Sequence, residues 1–360
     1  MLIQEYLRNH TIEQLEQEHH VYATVHKDYP ELVLFKYDMI EADFSNPLVC
    51  ECRGLILNKD NDWQVVSRSY DKFFNYGEGK AAEIDWKTAR VYEKVDGSLA
   101  VLYWYDGYWQ VQTSGMPDAS GEVQGWPFSF NELFWKTWKD LEYQLPDLKL
   151  QELCFAFELM TPYNRVVVPH KESRIVLHGY RNRITGEQGP LEDFAGYDWA
   201  YVKSYPLQSW SDILEVSKHL DPMVQEGYVV CDGKFNRVKV KTPQYVAIAH
   251  IRESNSPKKF LEVIRKCEES ELLTYFPEWT DEVNNVKSKY KYLQVQLQSI
   301  YDQHKDIENQ KEFALTIQKF TKFTAPLFSL RSGRVKSITE FLVNMNIDNL
   351  YEQLTSLVMS

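Results

Sequence analysis

The residues that could do chemistry begin with a lysine at the end of an apolar run. Lys94 closes the run Val-Tyr-Glu-Lys at 91–94, and Asp96, Gly97 and Ser98 follow in a turn. A primary amine held there can attack the α-phosphate of a nucleotide triphosphate if its pKa falls well below about 10.4. Gly97 would let the backbone approach a ligand, and Asp96 and Ser98 would offer polar side chains to a ribose or phosphate. A solvated lysine at a strand edge is the alternative.

Two acidic residues accompany apolar strand-like runs. Glu158 lies inside Cys-Phe-Ala-Phe-Glu-Leu-Met at 154–160, and Glu226 precedes Gly-Tyr-Val-Val at 227–230. A carboxylate in such a strand is too costly to leave unpaired. Each acid is therefore either in a salt bridge or part of a functional site.

Basic residues recur at positions that suit an anion. Arg237, Lys239 and Lys241 alternate with valines, so a strand would project all three from one face. Arg53 stands beside Gly54 at a strand entrance, where a guanidinium could hold a phosphate or ribose. Solvated surface positions are the alternative for both features.

Composition limits the classes of protein to consider. The chain has 360 residues, 44% of them hydrophobic, which is enough for about two domains with cores. The net charge of −12 argues against broad, non-specific nucleic-acid binding. The 5 cysteines form no C-x-x-C pair, so neither a zinc site nor a disulfide framework is indicated. With no membrane-length apolar run and no secretory signal, we expect a cytoplasmic protein without membrane contact.

The patterns predict an α+β protein with antiparallel sheet, followed by an all-α C-terminal domain. We place the domain boundary at residues 250/251, because strand alternation gives way there to helical spacing. A long amphipathic helix is expected around 283–300. Other expected elements are helices at 1–20, 129–145 and 313–323, strands at 21–25, 32–37, 50–57, 154–160 and 237–241, and a hairpin at 99–113.

The order of these segments resembles a known superfamily. Covalent nucleotidyltransferase motifs resemble residues 94–98, 157–158, 177–181, 226–230 and 239–241, in that order and approximate spacing. Residues 51–54, 72–75 and 161–167 look specifically like the bacteriophage T4 RNA ligase 1 family. The resemblance covers roughly residues 30 to 250.

The resemblance implies an ATP-dependent RNA ligase. Lys94 would form lysyl-AMP, the AMP would move to an RNA 5′-phosphate, and a 3′-hydroxyl would displace it. Mg²⁺, replaceable by Mn²⁺, would assist. The substrate would be a tRNA or another single-stranded loop, plausibly a cleaved anticodon loop, and the enzyme a monomer, phage-encoded and acting in the host cytoplasm.

The resemblance also assigns residues. Lys239 and Lys241 would clamp the α-phosphate, and Glu158 and Glu226 would face the ribose and hold waters of the metal ion. The remaining candidates lie near the nucleotide or its triphosphate: Arg53, Lys72, Tyr37, Phe74, Tyr245, Arg181, Asp96 and Gly97. Neighbouring cations would lower the pKa of Lys94. For the three aromatic residues, ordinary core packing is the alternative.

The chain departs from the family's pattern in one segment. Relatives carry a Lys-Gly pair where this chain has Thr113-Ser114-Gly115, so a basic contact is missing.

The helical C-terminal part favours the RNA ligase type over DNA ligases and capping enzymes, which continue with an OB fold. Lys287, Lys289, Lys291 and the loop 331–336 are candidate RNA contacts, with solvated surface as the alternative. A capping-type guanylyltransferase and a non-catalytic RNA-binding relative stay open as other functions.

Overall fold

The computed structural model describes residues 1–123, 125–243, 245–246, 257–275 and 277–356. The chain divides into two compact units, Met1–Asp38 with Ala42–Ala249 and Met39–Glu41 with His250–Ser360. Strands dominate the first unit, and the described part of the second is helical. The predicted α+β class is confirmed.

Among the described residues of the first unit, fourteen strands build three sheets. The strands are β1 (Val21–Val25), β2 (Leu32–Tyr37), β3 (Arg53–Asn58), β4 (Gln64–Ser67), β5 (Phe74–Asn75), β6 (Arg90–Lys94), β7 (Ser98–Tyr105), β8 (Tyr108–Gln112), β9 (Leu153–Met160), β10 (Arg174–Asn182), β11 (Ala200–Tyr201), β12 (Ser204–Tyr205), β13 (Gly227–Cys231) and β14 (Arg237–Lys241). An N-terminal sheet has the order β1-β2-β3-β4. The lysine sheet, β12-β6-β13-β14-β5, carries Lys94, and the glutamate sheet, β11-β10-β9-β7-β8, carries Glu158.

Most neighbouring strands in these sheets are antiparallel, as predicted. The exceptions are β10 with β11 and β14 with β5, which pair in parallel. In the lysine sheet β6 and β13 are neighbours, and the register sets Lys94 opposite Gly227. The same glycine is opposite Lys241 on β14. Three strands therefore bring both lysines to one end of the sheet.

Two expected elements near the N-terminus have different bounds in the structure. The helix predicted over 1–20 is two helices, Leu2–Leu7 and Ile12–His19, because Thr11 is extended and caps the second one by accepting from the Gln14 amide. The strand predicted from residue 50 starts at Arg53. Its first residues belong instead to the end of a short helix, Pro47–Glu51, which Asn46 caps.

The glutamate sheet packs on the helix Phe130–Asp140. Its buried aromatic cluster includes Phe134, Trp138, Phe155 and Phe157. The expected helix over 129–145 ends at Asp140, because Glu142 adopts the left-handed conformation with φ 56° and turns the chain. This aromatic core holds β9, and with it Glu158, from behind.

The second unit contains seven α-helices among its described residues. They are Pro257–Arg265, Glu269–Tyr275, Thr280–His304, Gln310–Ile317, Ala325–Arg331, Ile338–Asn344 and Ile347–Thr355. Thr280–His304 contains the predicted long helix, whereas the helix expected over 313–323 ends at Ile317. The boundary at 250/251 lies outside the described residues and stays a prediction. None of the described helices is long and apolar enough to cross a membrane.

The capping box of Phe130–Asp140 gives a test of this packing. Ser129 accepts from the Glu132 amide, and Glu132 accepts from the Ser129 amide. Ser129→Ala removes the cap, so the free energy of unfolding should fall by about 1 kcal/mol in urea denaturation. Ser211→Ala, at an exposed position inside a helix, is the control and should change stability by less than about 0.5 kcal/mol. Equal effects of the two variants would contradict the capping role.

Candidate active site

Residues of the lysine and glutamate sheets line a cavity of about 310 Å³. The predicted residues Arg53, Lys94, Gly97, Glu158 and Lys239 line it. The structure thus brings together four separate parts of the sequence. The cavity is large enough for a small-molecule ligand.

Lys94 is joined to Glu226 across the lysine sheet. The Lys94 Nζ donates to Glu226 Oε2 at 2.6 Å, and the Lys241 Nζ lies 3.7 Å from Glu226 Oε1. The Glu226 side chain is 6% exposed and that of Lys94 21%. A Cβ on Gly227 would lie 2.0 Å from the Val240 carbonyl oxygen, so only glycine allows β13 to approach β14 this closely at that position. One buried carboxylate therefore holds two of the predicted functional lysines.

Lys239 lies among the cations of the site and has a strongly lowered pKa. Burial, followed by repulsion from Lys241, Lys94, Arg53 and Lys72, lowers the pKa of Lys239 to about 7. The expectation of a lowered pKa at Lys94 stays a prediction. A cluster of cations that weakens its own charge in this way suits an anionic ligand such as a phosphate.

Arg53 is well placed to bind such an anion. Its Nη1 atom is buried and has no hydrogen-bond partner among the described residues. Its guanidinium lies 5.6 Å from the centre of the Phe73 ring, and both residues line the cavity. A buried donor without an acceptor is costly unless a ligand supplies one.

Lys72 sits in a group of aromatic rings. Its Nζ lies 3.9 Å from the centre of the Phe44 ring, 5.1 Å from that of Tyr37 and 5.3 Å from that of Phe74. Lys72 and Phe74 line a neighbouring cavity of about 240 Å³. Tyr37 lines neither cavity. These aromatic residues therefore surround a cation, and a position of Tyr37 near the nucleotide stays a prediction.

Asp96 is not available to a ligand, and the prediction that it offers its side chain to a ribose or phosphate is wrong. The carboxylate is buried and accepts from the backbone amides of Val167 at 2.8 Å and Val168 at 2.6 Å. Its other oxygen accepts from the Tyr245 hydroxyl at 3.0 Å. Ser98 Oγ likewise accepts from the Asn164 side chain at 3.0 Å. These polar groups fix the loop after β9 beside the turn that follows Lys94.

Gly97 allows that turn to pack on β9. A Cβ on Gly97 would lie 2.5 Å from the Leu159 carbonyl oxygen and 3.0 Å from Glu158 Cγ. The glycine thus serves a close approach between protein segments. It sets the turn of Lys94 directly against the strand of Glu158.

Glu158 faces a histidine, and that histidine contacts a tyrosine. The sequence singled out neither of the two as a site residue. His178 Nε2 lies 3.5 Å from Glu158 Oε2, and the Tyr70 hydroxyl lies 2.9 Å from His178 Nδ1. All three residues line the cavity. His178 belongs to the motif at 177–181, and its position between Leu177 and Gly179 was the only available signal.

The remaining predicted contacts make other interactions. Arg181 pairs with Asp71 at 3.0 Å and lines the neighbouring cavity. At the missing Lys-Gly pair, Lys36 Nζ lies 3.4 Å from where a Cβ on Gly115 would be. A cation from β2 therefore stands beside the segment that lacks its own.

In the helical unit, Arg331 makes internal contacts. It donates to the backbone carbonyls of Lys305, Ile307 and Glu308 at 3.3, 2.5 and 2.9 Å. Lys287 pairs with Glu269 at 2.7 Å. Arg331 thus fixes the chain between two helices, which accounts for it without RNA.

The acidic residues limit how a metal ion could be held. Among the residues that the structure describes, no group of three His, Cys, Asp or Glu side chains could hold a metal ion. Glu158 and Glu226 offer carboxylate oxygens, which suit a hard cation that keeps most of its water. The two carboxylates therefore fit a Mg²⁺ ion that keeps much of its own hydration.

A family model and two relatives identify the family to which the chain is similar. A family model described as RNA ligase matches residues 51–245. An RNA ligase of Rhodothermus phage RM378 is 27% identical over 352 residues, covering 79% of this chain and 79% of that protein. A putative bifunctional polynucleotide kinase/RNA ligase of Autographa californica nuclear polyhedrosis virus is 30% identical over 276 residues, covering 70% of this chain and 38% of that protein. An archaeal ATP-dependent RNA ligase structure aligns with a TM-score of 0.47 at 13% identity, covering 98% of this chain and 100% of that one.

Asp96→Asn tests how the loop after β9 is held. An asparagine side chain has only one accepting oxygen, so it cannot replace both oxygens of the Asp96 carboxylate. The free energy of unfolding should therefore fall by about 1–3 kcal/mol. Trypsin should cut faster after the exposed Arg165 in that loop. Tyr245→Phe removes one of the three hydrogen bonds and should give a smaller effect. An unchanged cleavage rate in Asp96→Asn would contradict the role of Asp96.

Lys239→Met tests the charge on Lys239 through the pH dependence of stability. Below about pH 7 the folded protein carries a half-buried ammonium on Lys239. Above about pH 7 this ammonium loses its proton, whereas the unfolded chain keeps the corresponding proton to about pH 10. The variant should therefore be more stable by roughly 1–2 kcal/mol at pH 6, a margin that shrinks towards pH 9. Lys234→Met, at an exposed position before the same strand, is the control. A margin that grows with pH would contradict the lowered pKa.

Proposed function

Because this chain belongs to the RNA ligase family, we propose that it is an ATP-dependent enzyme that joins RNA 5′-phosphate and 3′-hydroxyl ends through lysyl-AMP on Lys94. The observation that carries the proposal is the Lys94 amine, which lines a cavity together with Arg53 and Lys239 and pairs with Glu226. An amine among cations is suited to meet a phosphate.

In the first step, Nζ of Lys94 attacks the α-phosphorus of ATP. An N–P bond forms, the bond to the pyrophosphate oxygen breaks, and pyrophosphate leaves. The amine must shed a proton, and we expect Glu226 to take it because its Oε2 lies 2.6 Å away. Lys239, Lys241 and Arg53 would stabilise the negative charge on the phosphate oxygens.

The next two steps use the same cavity. An oxygen of the RNA 5′-phosphate attacks the phosphorus of lysyl-AMP, which frees Lys94 and gives RNA capped by AMP. The 3′-hydroxyl of the other end then attacks the RNA phosphorus and releases AMP. Each transfer concentrates negative charge on phosphate oxygens, so positioning and electrostatic stabilisation should supply most of the rate.

A divalent metal would neutralise part of that charge. Glu158 and Glu226 would hold Mg²⁺, or Mn²⁺ in its place, through water. The same two carboxylates would face the ribose. Their chemistry supports this assignment, which rests on the resemblance for its detail.

The substrate and setting are further parts of the proposal. We infer a tRNA or other single-stranded loop as substrate, plausibly a cleaved anticodon loop, with the helical unit selecting it. Lys287, Lys289, Lys291 and the loop 331–336 are the candidate RNA contacts, although Lys287 and Arg331 also make the internal contacts described above. The enzyme would act as a monomer in the cytoplasm, that of a bacterial host if a phage encodes it.

Lys94→Ala tests the proposal. Wild-type protein incubated with α-labelled ATP and Mg²⁺ should retain label on a denaturing gel and lose it when 5′-phosphorylated single-stranded RNA is added, as joined or circular RNA appears. Lys94→Ala should lose more than about 99% of the label, because no other amine replaces the nucleophile.

The matched control is Lys139→Ala, at an exposed helix position outside the cavity, which should label like the wild type. Label that persists in Lys94→Ala would refute the assignment of the nucleophile. Label from GTP alone would indicate a capping-type guanylyltransferase, and no label at all would indicate a non-catalytic RNA-binding relative.

A further inference from the structure

His178 owes its orientation to an irregularity in the glutamate sheet. In the pairing of β10 with β9, Leu177 is opposite Phe157 and Gly179 is opposite Ala156, so His178 is an extra residue in a β-bulge. A bulge redirects a side chain that regular alternation would send elsewhere. Here the imidazole lines the cavity, with Nε2 3.5 Å from Glu158 Oε2.

Tyr70 fixes the imidazole from the other side. Its hydroxyl lies 2.9 Å from His178 Nδ1, and the two rings stack at 5.6 Å. A Cβ on residue 179 would lie 1.9 Å from the Tyr70 hydroxyl, so Gly179 leaves the space that this contact needs. Burial raises the pKa of Tyr70 to about 12, so the hydroxyl keeps its proton and can donate it.

These contacts determine which nitrogen of the His178 ring carries the hydrogen that points towards Glu158. If Tyr70 donates to Nδ1, the proton of a neutral imidazole is on Nε2, which then donates towards the carboxylate. Nε2 is buried and makes no hydrogen bond of ordinary length among the described residues. Active-site hydrogen bonds are often long without ligand and shorten when it binds.

We propose that Tyr70 and His178 form a positioning pair that directs the Glu158 carboxylate towards the ribose of the bound nucleotide. The proposal rests on the proposed function, since Glu158 contacts the ribose only if the cavity binds ATP. His178 engages Oε2 and leaves Oε1 for a ribose hydroxyl. Neither Tyr70 nor His178 touches the reacting phosphorus, so both act through Glu158.

The experiment measures enzyme-AMP formation with ATP, 2′-dATP and 3′-dATP. His178→Leu keeps the bulk and removes both nitrogens, whereas His178→Gln keeps an N–H at about the place of Nε2. We expect His178→Leu to lose on the order of 10-fold in kcat/KM with ATP, and His178→Gln to recover most of it. Because the ribose contact is what weakens, the preference for ATP over at least one deoxy nucleotide should narrow in His178→Leu.

A double-mutant cycle shows whether the effect passes through Glu158. In a Glu158→Ala background, His178→Leu should cause no further loss, since the group that it positions is gone. ATP affinity without divalent metal, measured by calorimetry, should weaken in parallel with kcat/KM and gives a readout besides turnover. Additive losses, or an unchanged ATP to deoxy-ATP ratio, would overturn the proposal.

Two controls separate this result from misfolding and from failure of the proposed function. Tyr70→Phe should reproduce part of the loss. Tyr103→Phe also deletes a buried hydroxyl, one that donates to the Pro117 carbonyl at 2.8 Å outside the cavity, and should leave kcat/KM unchanged. Wild-type labelling with normal His178→Leu kinetics would reject the positioning pair alone. Absence of label in the wild type would reject the ligase function and, with it, the pair.

Discussion

A salt bridge between Lys94 and Glu226 links the two neighbouring strands on which the rest of the site depends. Lys241 approaches the same carboxylate from the next strand, and Lys239 stands among these cations with a pKa lowered to about 7. Holding so many positive groups together costs stability, because each is partly desolvated and repels the others. A triphosphate would relieve the repulsion, so the arrangement favours binding of an anion over the stability of the site itself.

The positions of the functional groups follow from how closely the backbone segments pack. Gly97 sets the turn after Lys94 against Leu159, and Gly227 lets its strand pass Val240. Asp96 then ties the loop after β9 to that turn through two backbone amides. Lys94 from one sheet and Glu158 from the other are therefore held close together by main-chain contacts.

The local sequence pattern predicted many of the strands. Contacts that depend on the pairing of distant strands could not be predicted from it. The strands at 21–25, 32–37 and 237–241 have the predicted bounds. Leu32–Tyr37 is an almost wholly buried apolar run, whereas Arg237–Lys241 alternates buried valines with half-buried basic residues. The Lys94–Glu226 contact depends on β6 pairing with β13, which periodicity cannot specify. The same limit explains the misassignment of Asp96, whose partners lie some 70 residues away or more. It also explains why His178 was overlooked, because a bulge is a property of two paired strands.

The central claim is that Lys94, whose amine pairs with Glu226, is the residue that carries the nucleotide. The most direct measurement is tandem mass spectrometry of peptides from protein incubated with ATP and Mg²⁺, under conditions that preserve a phosphoramidate. The account predicts AMP on Lys94 and on no other lysine. AMP on Lys239 or Lys241 would contradict it, because the nucleophile would then be a residue to which we give only a phosphate-binding role.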